Sequence, residues 1–329
     1  MQEVVTRMNI AFAGFRHAHI FALYREALAH KGVTILGALE EDVTERSKIS
    51  DDRGIEFNYS SFDEILNDSR VDVIAIGDVF SKRGQMIIAA LNHGKHVICD
   101  KPICISLDEL NEINRLSGEH GLCVHCMLDL RFMPQAGKVR ELIKSGEIGD
   151  IKSASFTAQH HLSYGTRPDW YFKKGAHGGT INDIGIHGID LLRFLTGKDL
   201  TKIHAARSWN AFADKEPHFK DSAQFMAEMD GVALMADVSY AAPKCPVPTF
   251  WDIYLWGTRG MINFRCADNE IRIYKDEKTV VKCEATSARF IDCLIGEING
   301  ETPIINTADV LESARQTLML QAFADKEQI

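Results

Sequence analysis

Short apolar runs alternate with amphipathic helical patterns over the first third of the chain. The runs are rich in β-branched and aliphatic residues, and the segments between them repeat apolar residues at helical spacing. Strands are expected at 8–13, 33–39, 71–76, 96–99 and 122–128, and helices at 17–30, 43–52, 61–67, 82–93 and 107–119. This rhythm is typical of a parallel sheet covered by helices. Residues 1–125 are therefore predicted to form a doubly wound Rossmann domain of the α/β class.

The pattern changes after about residue 129. Helices are expected at 134–144, 286–298 and 307–325, and alternating or aromatic strands at 151–160, 201–210, 222–229, 232–240, 251–256, 260–265 and 270–274. The step from Gly257 to Gly260 between two of these strands is a good hairpin turn. Residues 126–329 are therefore predicted to form an α+β domain with a large, mostly antiparallel open sheet.

The stretch 178–197 looks like a buried helix that carries polar residues. Asp183, His187 and Asp190 are spaced i, i+4 and i+7, which places them on one helix face, while apolar residues cover most of the rest. Burying two carboxylates and an imidazole costs several kcal/mol unless they are paired or used. The stretch is either a satisfied polar network or the wall of an active site.

The turn after the first strand is where a dinucleotide-binding G-x-G-x-x-G motif is expected. Here Gly14 is present, but Phe12 and His17 stand where its neighbouring glycines would be. Glu40, at the end of the second strand, is a candidate for accepting the ribose hydroxyls of NAD and would repel the 2'-phosphate of NADP. Glu41 is the alternative in the next register, and a plain tight turn with solvated acids is the structural alternative.

The strand 96–99 runs directly into Asp100, Lys101 and Pro102. Ligands bind at the carboxyl ends of parallel strands, and Pro102 restricts the backbone of Lys101. Lys101 is therefore a candidate to point into a ligand cleft, with an ordinary surface lysine as the alternative.

Residues 164–172 combine several aromatic side chains with the cation of Arg167. Such a loop can stack on a sugar ring and bind its hydroxyls, so Arg167 and Trp170 are candidate substrate ligands. A loop packed by its own aromatic residues is the alternative.

Composition favours a small-molecule substrate. The net charge is -9 and the pI is near 5.8, and Lys and Arg form no dense run, which argues against nucleic acid or an anionic membrane as partner. The sequence contains no apolar stretch of membrane-spanning length, and its start lacks a signal-peptide core, so a cytoplasmic location is expected. The eight cysteines lack the spacing of a zinc site or a disulfide scaffold.

Three features together resemble the Gfo/Idh/MocA oxidoreductase family: the reduced glycine loop, the Asp100-Lys101-Pro102 turn, and G-G-x-x-x-D-x-G-x-H-x-x-D from Gly178 to Asp190. The resemblance extends over essentially the whole chain. It implies an N-terminal Rossmann domain that binds NAD, with NADP as the alternative, and a C-terminal domain that supplies the substrate pocket. It also implies a homodimer or homotetramer formed through the C-terminal sheet.

The resemblance further implies roles for individual residues. Lys101 and His187 become the acid/base pair, Asp183 becomes a carboxylate that positions the substrate or orients the imidazole, and Asp190 is expected to be structural. The cofactor-binding candidates are Gly14, Phe15, Arg16, Glu40, Asp78, Asp100 and Lys101. The chain departs from the family pattern in two places, because Asp100 stands where Glu is usual and two fingerprint glycines are missing.

The leading hypothesis is an NAD(P)-dependent dehydrogenase or reductase acting on a sugar, polyol or related cyclic polyhydroxy compound. One alternative is a glycoside hydrolase or lyase that recycles the hydride on bound NAD, and another is a ligand sensor of the same fold without turnover. No metal site is predicted, since Asp183, His187 and Asp190 span two helical turns and splay too widely to converge on one ion.

Overall fold

The computed structural model describes residues 7–284, 287 and 289–326. The chain forms two compact units. The first comprises the described residues within 1–127 and 288–311, and the second those within 128–287 and 312–329. The first boundary lies two residues beyond the expected one, and the segment 288–311, expected in the second domain, belongs to the first unit.

The first unit contains a five-stranded sheet in the order β2-β1-β3-β4-β5, and every pairing in it is parallel. Its strands are β1 Met8–Ala13, β2 Val33–Leu39, β3 Val73–Ile76, β4 His96–Cys99 and β5 Val124–Cys126. Strands β3 and β5 are buried along their whole length, as expected for a sheet covered on both faces. The predicted doubly wound parallel sheet is confirmed.

The helices of this unit are α1 His19–Ala29, α2 Val43–Arg53, α3 Phe62–Asn67, α4 Phe80–Asn92, α5 Leu107–His120 and, near the end of the chain, α8 Phe290–Ile298. Side chains cap several of their amino ends. Asp42 accepts the amides of Thr44 and Glu45, and Ser106 accepts the amide of Asp108. These caps set where the helices begin and hence the loops that precede them.

The second unit contains an eight-stranded sheet in the order β13-β12-β11-β10-β6-β9-β8-β7. Its strands are β6 Ile151–His161, β7 Leu200–Trp209, β8 Ser222–Met229, β9 Val232–Ala242, β10 Asp252–Gly257, β11 Gly260–Arg265, β12 Glu270–Tyr274 and β13 Lys278–Lys282. The β6–β9 pair is parallel and the other pairs are antiparallel, so the predicted mostly antiparallel sheet is confirmed. The predicted turn from Gly257 to Gly260 joins β10 and β11.

One face of this sheet is covered by helix and the other is exposed. The helices are α6 Pro134–Lys144 and α7 Ile186–Thr196, and α9 Thr307–Lys326 continues into this unit from the first. Gly188 of α7 lies against Phe156 of β6, because a Cβ at position 188 would stand 2.4 Å from the phenyl ring. On the opposite face Met226, Met235 and Trp256 are 50–57% exposed.

Within the described residues, helices long and apolar enough to cross a bilayer are absent.

The contact at Gly188 predicts that Gly188→Ala lowers the free energy of unfolding by up to about 2 kcal/mol. Overpacking against a ring held by the sheet typically costs about 1–3 kcal/mol, which exceeds the roughly 1 kcal/mol that alanine gains over glycine in a helix. The four tryptophans, at 170, 209, 251 and 256, all lie in the second unit. Urea unfolding followed by tryptophan fluorescence therefore reports on that unit alone.

Gly137→Ala in α6 is the matched control, since a Cβ there would meet open space. This variant should be at least as stable as the parent protein. Equal stability of the two variants would contradict the packing argument.

Candidate functional site

Lys101 lies in the turn that follows β4, at the carboxyl edge of the parallel sheet. The turn is buried, with Asp100 0% and Lys101 4% exposed, and the peptide bond between Lys101 and Pro102 is cis. The Lys101 ammonium is 5.9 Å from the ring centroid of Phe80, the first residue of α4. A buried cation thus stands at the sheet edge where open parallel sheets bind ligands, and the surface-lysine alternative does not describe it.

Asp100 is the centre of a buried polar cluster. Its carboxylate oxygens accept hydrogen bonds from Nδ1 of His17 at 2.7 Å and Nδ1 of His19 at 3.1 Å, and the Arg83 guanidinium is 3.5 Å away. Burial lowers the pKa of His17 to about 4, so this imidazole is neutral near pH 7. Burial alone would raise the pKa of Asp100, but the two histidines and Arg83 outweigh it and hold that pKa well below its usual range.

The surroundings of this cluster favour a hydrogen-bonded network over a metal site. Ligand atoms of His17, His19 and Asp100 do lie within 4.8 Å of one another. Arg83, however, already places a positive charge beside the same carboxylate, and a metal ion there would be repelled by it. The Nδ1 atoms of both imidazoles are also engaged with Asp100. The network links the loop after β1 to the lysine turn.

Gly14 is the glycine that the first loop requires. Its φ is +79°, and a Cβ at this position would lie 2.6 Å from the Cβ of Asp78. The loop after β1 can therefore approach the loop after β3 only with glycine at position 14.

Three successive amides of this loop, those of Gly14, Phe15 and Arg16, donate to acceptors within the protein. The acceptors are the carbonyls of Leu39 and Gly77 at 2.9 Å and Oε2 of Glu40 at 2.7 Å. Phosphate oxygens of a dinucleotide must then rely on the amides at the start of α1, since the first turn of a helix has no intrahelical acceptors for its N–H groups.

Glu40 faces the protein rather than the place expected for a ribose. It is 2% exposed, and besides Phe15 it accepts the amide of Asp42 at 3.0 Å. Burial raises the pKa of Glu40, although the two amides act in the opposite sense. Glu41, the alternative register, has a side chain that is 56% exposed. The structure favours Glu41 as the acid that meets a ligand.

A cavity of about 360 Å³ opens at the carboxyl ends of β1, β2 and β3. It is lined by Gly14, Leu39, Glu41, Phe62, Asp78, Ser81, Lys82, Gln85 and Met86. Lys82 reaches Glu41 at 3.5 Å and Asp78 at 3.4 Å on its borders. The cavity thus lies at the sheet edge where doubly wound folds bind dinucleotides, and it presents two acids, Glu41 and Asp78.

In the second unit, the helix expected over 178–197 contains a π-helical turn near its start. Asp183 lies in a π-helical turn, Ile181–Gly185, and α7 begins only at Ile186. The side chain of Gln321 in α9 accepts the amides of Ile181 at 3.0 Å and Asn182 at 3.3 Å and so holds this turn. Asp183 therefore precedes His187 by four residues in a π-turn rather than in the regular α-helix expected from the sequence.

Asp183 is buried beside two tyrosine hydroxyls and an imidazole. Its Oδ2 accepts hydrogen bonds from the hydroxyls of Tyr171, at 2.8 Å, and of Tyr240, and Nε2 of His177 lies 3.3 Å from the same oxygen. His177 Nε2 is also 2.9 Å from the Tyr240 hydroxyl. Burial, followed by the nearby Asp183 carboxylate, raises the pKa of both tyrosines well above the usual value. The phenols therefore stay protonated and donate to Asp183.

His187 is 5% exposed and lies at the start of α7. Its Nδ1 is 3.1 Å from Oδ1 of Asp129, and its ring meets the ring of Trp251 edge to face at 5.6 Å. Asp129 comes from the short 3-10 turn Asp129–Phe132 after β5, and its side chain is 56% exposed. The imidazole is thus held between an aromatic wall and a carboxylate.

Asp190 forms a buried ion pair. Its two oxygens accept bidentate hydrogen bonds from Arg131 at 2.8 and 2.6 Å, and Ser313 adds a third at 2.8 Å. A bidentate pair of this kind locks α7 to the turn that carries Asp129. The structural role expected for Asp190 agrees with this geometry.

Arg167 and Trp170 have different surroundings. The Arg167 guanidinium lies over the rings of Tyr171 at 4.3 Å and Tyr240 at 5.0 Å, and it donates to the carbonyls of His161 and Leu162. This places Arg167 next to the Asp183 cluster. Trp170 is 4% exposed and packs on Tyr171, so the packed-loop alternative describes it better.

Several site residues were not predicted from the sequence, namely Arg83, Asp129, His177 and Tyr240. Tyr240 fits the alternation of its strand. Arg83 falls on the buried face of α4 between Phe80 and Ile87, and this charge within an apolar stripe is a signal that could have found it. His177 had a signal, its position between the aromatic loop and Gly178, but no role could be attached to it. The sequence around Asp129 contains no motif that would have indicated a role for this residue.

Two family models match the chain. One, described as the oxidoreductase family with an NAD-binding Rossmann fold, matches residues 8–127, and the other, the GFO/IDH/MocA C-terminal domain, matches residues 137–263. Fold and matches together define an oxidoreductase with an NAD-binding Rossmann domain. The chain belongs to the Gfo/Idh/MocA family.

Curated relatives are similar over part of their length. D-xylose dehydrogenase from Paenarthrobacter nicotinovorans is 26% identical over 237 residues, which cover 69% of this chain and 55% of that protein. The scyllo-inositol 2-dehydrogenase (NAD(+)) of Bacillus subtilis (strain 168) is 28% identical over 183 residues, covering 55% and 52%. This chain spans about half the length of the curated relatives it matches.

Among solved structures, that of levoglucosan dehydrogenase in complex with NADH and levoglucosan is similar to this chain. The TM-score is 0.82 at 18% identity, and the alignment covers 98% of each chain. At this identity the similarity shows the fold alone.

Proposed function

We propose that this protein is an NAD(P)-dependent oxidoreductase that moves a hydride between a nicotinamide cofactor and a secondary alcohol or carbonyl of a sugar, polyol or related cyclic polyhydroxy compound. The observation that carries the proposal is the buried ammonium of Lys101 at the ligand-binding edge of an NAD-binding Rossmann sheet. The relatives named for D-xylose and scyllo-inositol support the substrate class.

In the proposed reaction Lys101 and His187 form the acid/base pair. Oxidation of an alcohol requires a base for the hydroxyl proton, and His187 accepts it. Oδ1 of Asp129, 3.1 Å from Nδ1, places a negative charge beside the imidazole and stabilises the positive charge that His187 gains on accepting the proton. Lys101 holds the substrate oxygen and stabilises its developing negative charge. The nicotinamide, when bound, provides the hydride acceptor or donor.

Asp183 takes the role of a fixed acceptor for a substrate hydroxyl. The phenols of Tyr171 and Tyr240 stabilise its charge without cancelling it, which leaves a negative group suited to bind a sugar hydroxyl. Arg167, above both phenol rings, supplies a cation and N–H donors beside it.

The first unit holds the cofactor and the second supplies the substrate residues. We assign the ribose hydroxyls to Glu41, with Asp78 across the same cavity. Glu41 and Asp78 together outweigh the single positive charge of Lys82 between them, which disfavours the 2'-phosphate of NADP, so NAD is the proposed cofactor.

The exposed face of the second unit's sheet is proposed to bind a second copy of this chain. Met226 and Met235 face each other on β8 and β9 and are 52% and 57% exposed, beside an open groove of about 540 Å³. Arg207 and Asp237 border the same groove. A face that carries both charge signs around an apolar centre can complement itself across a two-fold axis.

A cytoplasmic location remains part of the proposal. Cys99, Cys123 and Cys245 are free cysteines, which suits a reducing compartment.

The acid/base assignment predicts that Lys101→Ala and His187→Ala each lower kcat by about a hundredfold or more, because each removes a group that acts on the reacting oxygen. NADH formation and product formation are both measured with a panel of neutral substrates that includes D-xylose, scyllo-inositol and levoglucosan. Lys174→Ala and His204→Ala, on exposed residues, are the matched controls. Full turnover in either site variant would contradict its role, and product without net NADH would favour the hydride-recycling hydrolase or lyase.

The cofactor assignment predicts that Glu41→Gln weakens NAD⁺ binding by roughly tenfold or more, since a hydrogen bond to a charged group contributes about 1.5–3 kcal/mol. Binding of NADP⁺ should be unchanged or tighter, because a repulsive charge is removed. Isothermal titration calorimetry with both nucleotides measures this. Glu56→Gln, an exposed acid outside the cavity, serves as control, and identical NAD⁺ affinities of the two variants would contradict the assignment.

The second-copy assignment predicts that Met226→Glu converts the assembly into smaller species, because it places a charge at the apolar centre of the face. Light scattering after size exclusion measures the mass. Leu28→Glu, at a residue 63% exposed in the first unit, should leave the mass unchanged. A monomeric parent protein at micromolar concentration would refute the assignment.

A further inference from the structure

A fully buried arginine lies behind the lysine turn. Arg83 of α4 is 0% exposed, and its guanidinium rests on the ring of Phe80 at 4.4 Å. Burying a cation costs several kcal/mol unless its donors are satisfied. The contacts of Arg83 therefore identify what the chain gains from this burial.

The Nη1 and Nε atoms of Arg83 donate hydrogen bonds to main-chain carbonyls of two loops. Its Nη1 donates to the carbonyls of Asp100 and Lys101 at 2.7 Å and of Pro102 at 3.1 Å. Its Nε donates at 2.7 Å to the carbonyl of Asp78, in the loop after β3. One planar group thus fixes three consecutive residues, with Lys101 in the middle, against the neighbouring strand's loop.

The same turn is tied to the first loop through its side chain. Asp100 accepts from His17 and His19 and lies 3.5 Å from Nη2 of Arg83. The loops after β1, β3 and β4 are therefore connected through Arg83 and Asp100. A lysine in place of Arg83 would keep the charge but lose the planar fork that reaches both loops.

We propose that Arg83 is a positioning residue for Lys101: it holds the main chain of residues 100–102 so that the Lys101 ammonium stands where the substrate oxygen is bound. The inference rests on the proposed function of Lys101. Arg83 itself is fully enclosed and contacts main chain, so it acts through Lys101 and not on the substrate. A displacement of about 1 Å in a catalytic group can lower turnover a hundredfold.

A double-mutant cycle tests whether Arg83 acts through Lys101. Arg83→Ala should lower kcat by roughly 10- to 100-fold in the parent background but by less than about threefold when Lys101 is already Ala, because a positioning effect vanishes with the group it positions. The KM for substrate should change less than kcat. An equal loss of kcat in both backgrounds would show that Arg83 acts only on the fold and would overturn the proposal.

Chemical rescue separates position from stability. Guanidinium ion at millimolar concentration should restore part of kcat in Arg83→Ala but none in the Arg83→Ala/Lys101→Ala protein, whereas ammonium ion should restore neither. Arg115→Lys, at an exposed position of α5, is the control for loss of a guanidinium group elsewhere in the chain. If the Arg83→Ala variant does not fold, Arg83→Lys takes its place in the cycle. If neither variant folds, Arg83 acts on the fold itself and the proposal is overturned.

The activities of the two single variants distinguish a failure of the proposed function from a failure of the positioning role. If Lys101→Ala alone retains full turnover, the acid/base assignment is wrong whatever Arg83 does. If Lys101→Ala is inactive but Arg83→Ala is as active as the parent protein, only the positioning role is wrong.

Discussion

The carboxylate of Asp100 has no access to water, and the first unit is arranged to stabilise it. A buried charge persists only where donors surround it. His17 in the loop after β1 and His19 at the start of α1 supply two of them, and Arg83 of α4 places its cation beside the same group. Arg83 also binds the main chain of the turn, so the position of Lys101 depends on segments that follow three different strands.

The second unit stabilises its two buried aspartates in contrasting ways. Arg131 cancels the charge of Asp190 through a bidentate ion pair, which makes that residue a structural link. Tyr171 and Tyr240 donate to Asp183 as neutral phenols and leave its charge in place. This difference explains how Asp183, in the π-turn, and Asp190, in α7, can have separate roles. Asp190 holds α7 in place, and Asp183 is suited to bind a ligand.

Much of the fold could be predicted because its signal is local. The strands His96–Cys99 and Ser222–Met229 and the helix Pro134–Lys144 have the predicted bounds, since their apolar periodicity lies within each segment. The edge strand Lys278–Lys282 was missed because it is polar and mostly exposed, as edge strands often are. The π-turn before α7 was missed because Gln321, some 140 residues later, holds it.

By itself the sequence determined the two-part α/β architecture, the location of Lys101 after a strand, and the motif that contains Asp183 and His187. Only the tertiary structure decided the surroundings of these residues: Arg83 behind Lys101, Asp129 beside His187, two tyrosines on Asp183, and Glu41 rather than Glu40 on the lining of the cavity beside Gly14. The physical reason is that periodicity and turn chemistry act between neighbours in the chain, whereas a buried polar group is satisfied by whichever distant segment packing brings within hydrogen-bond reach.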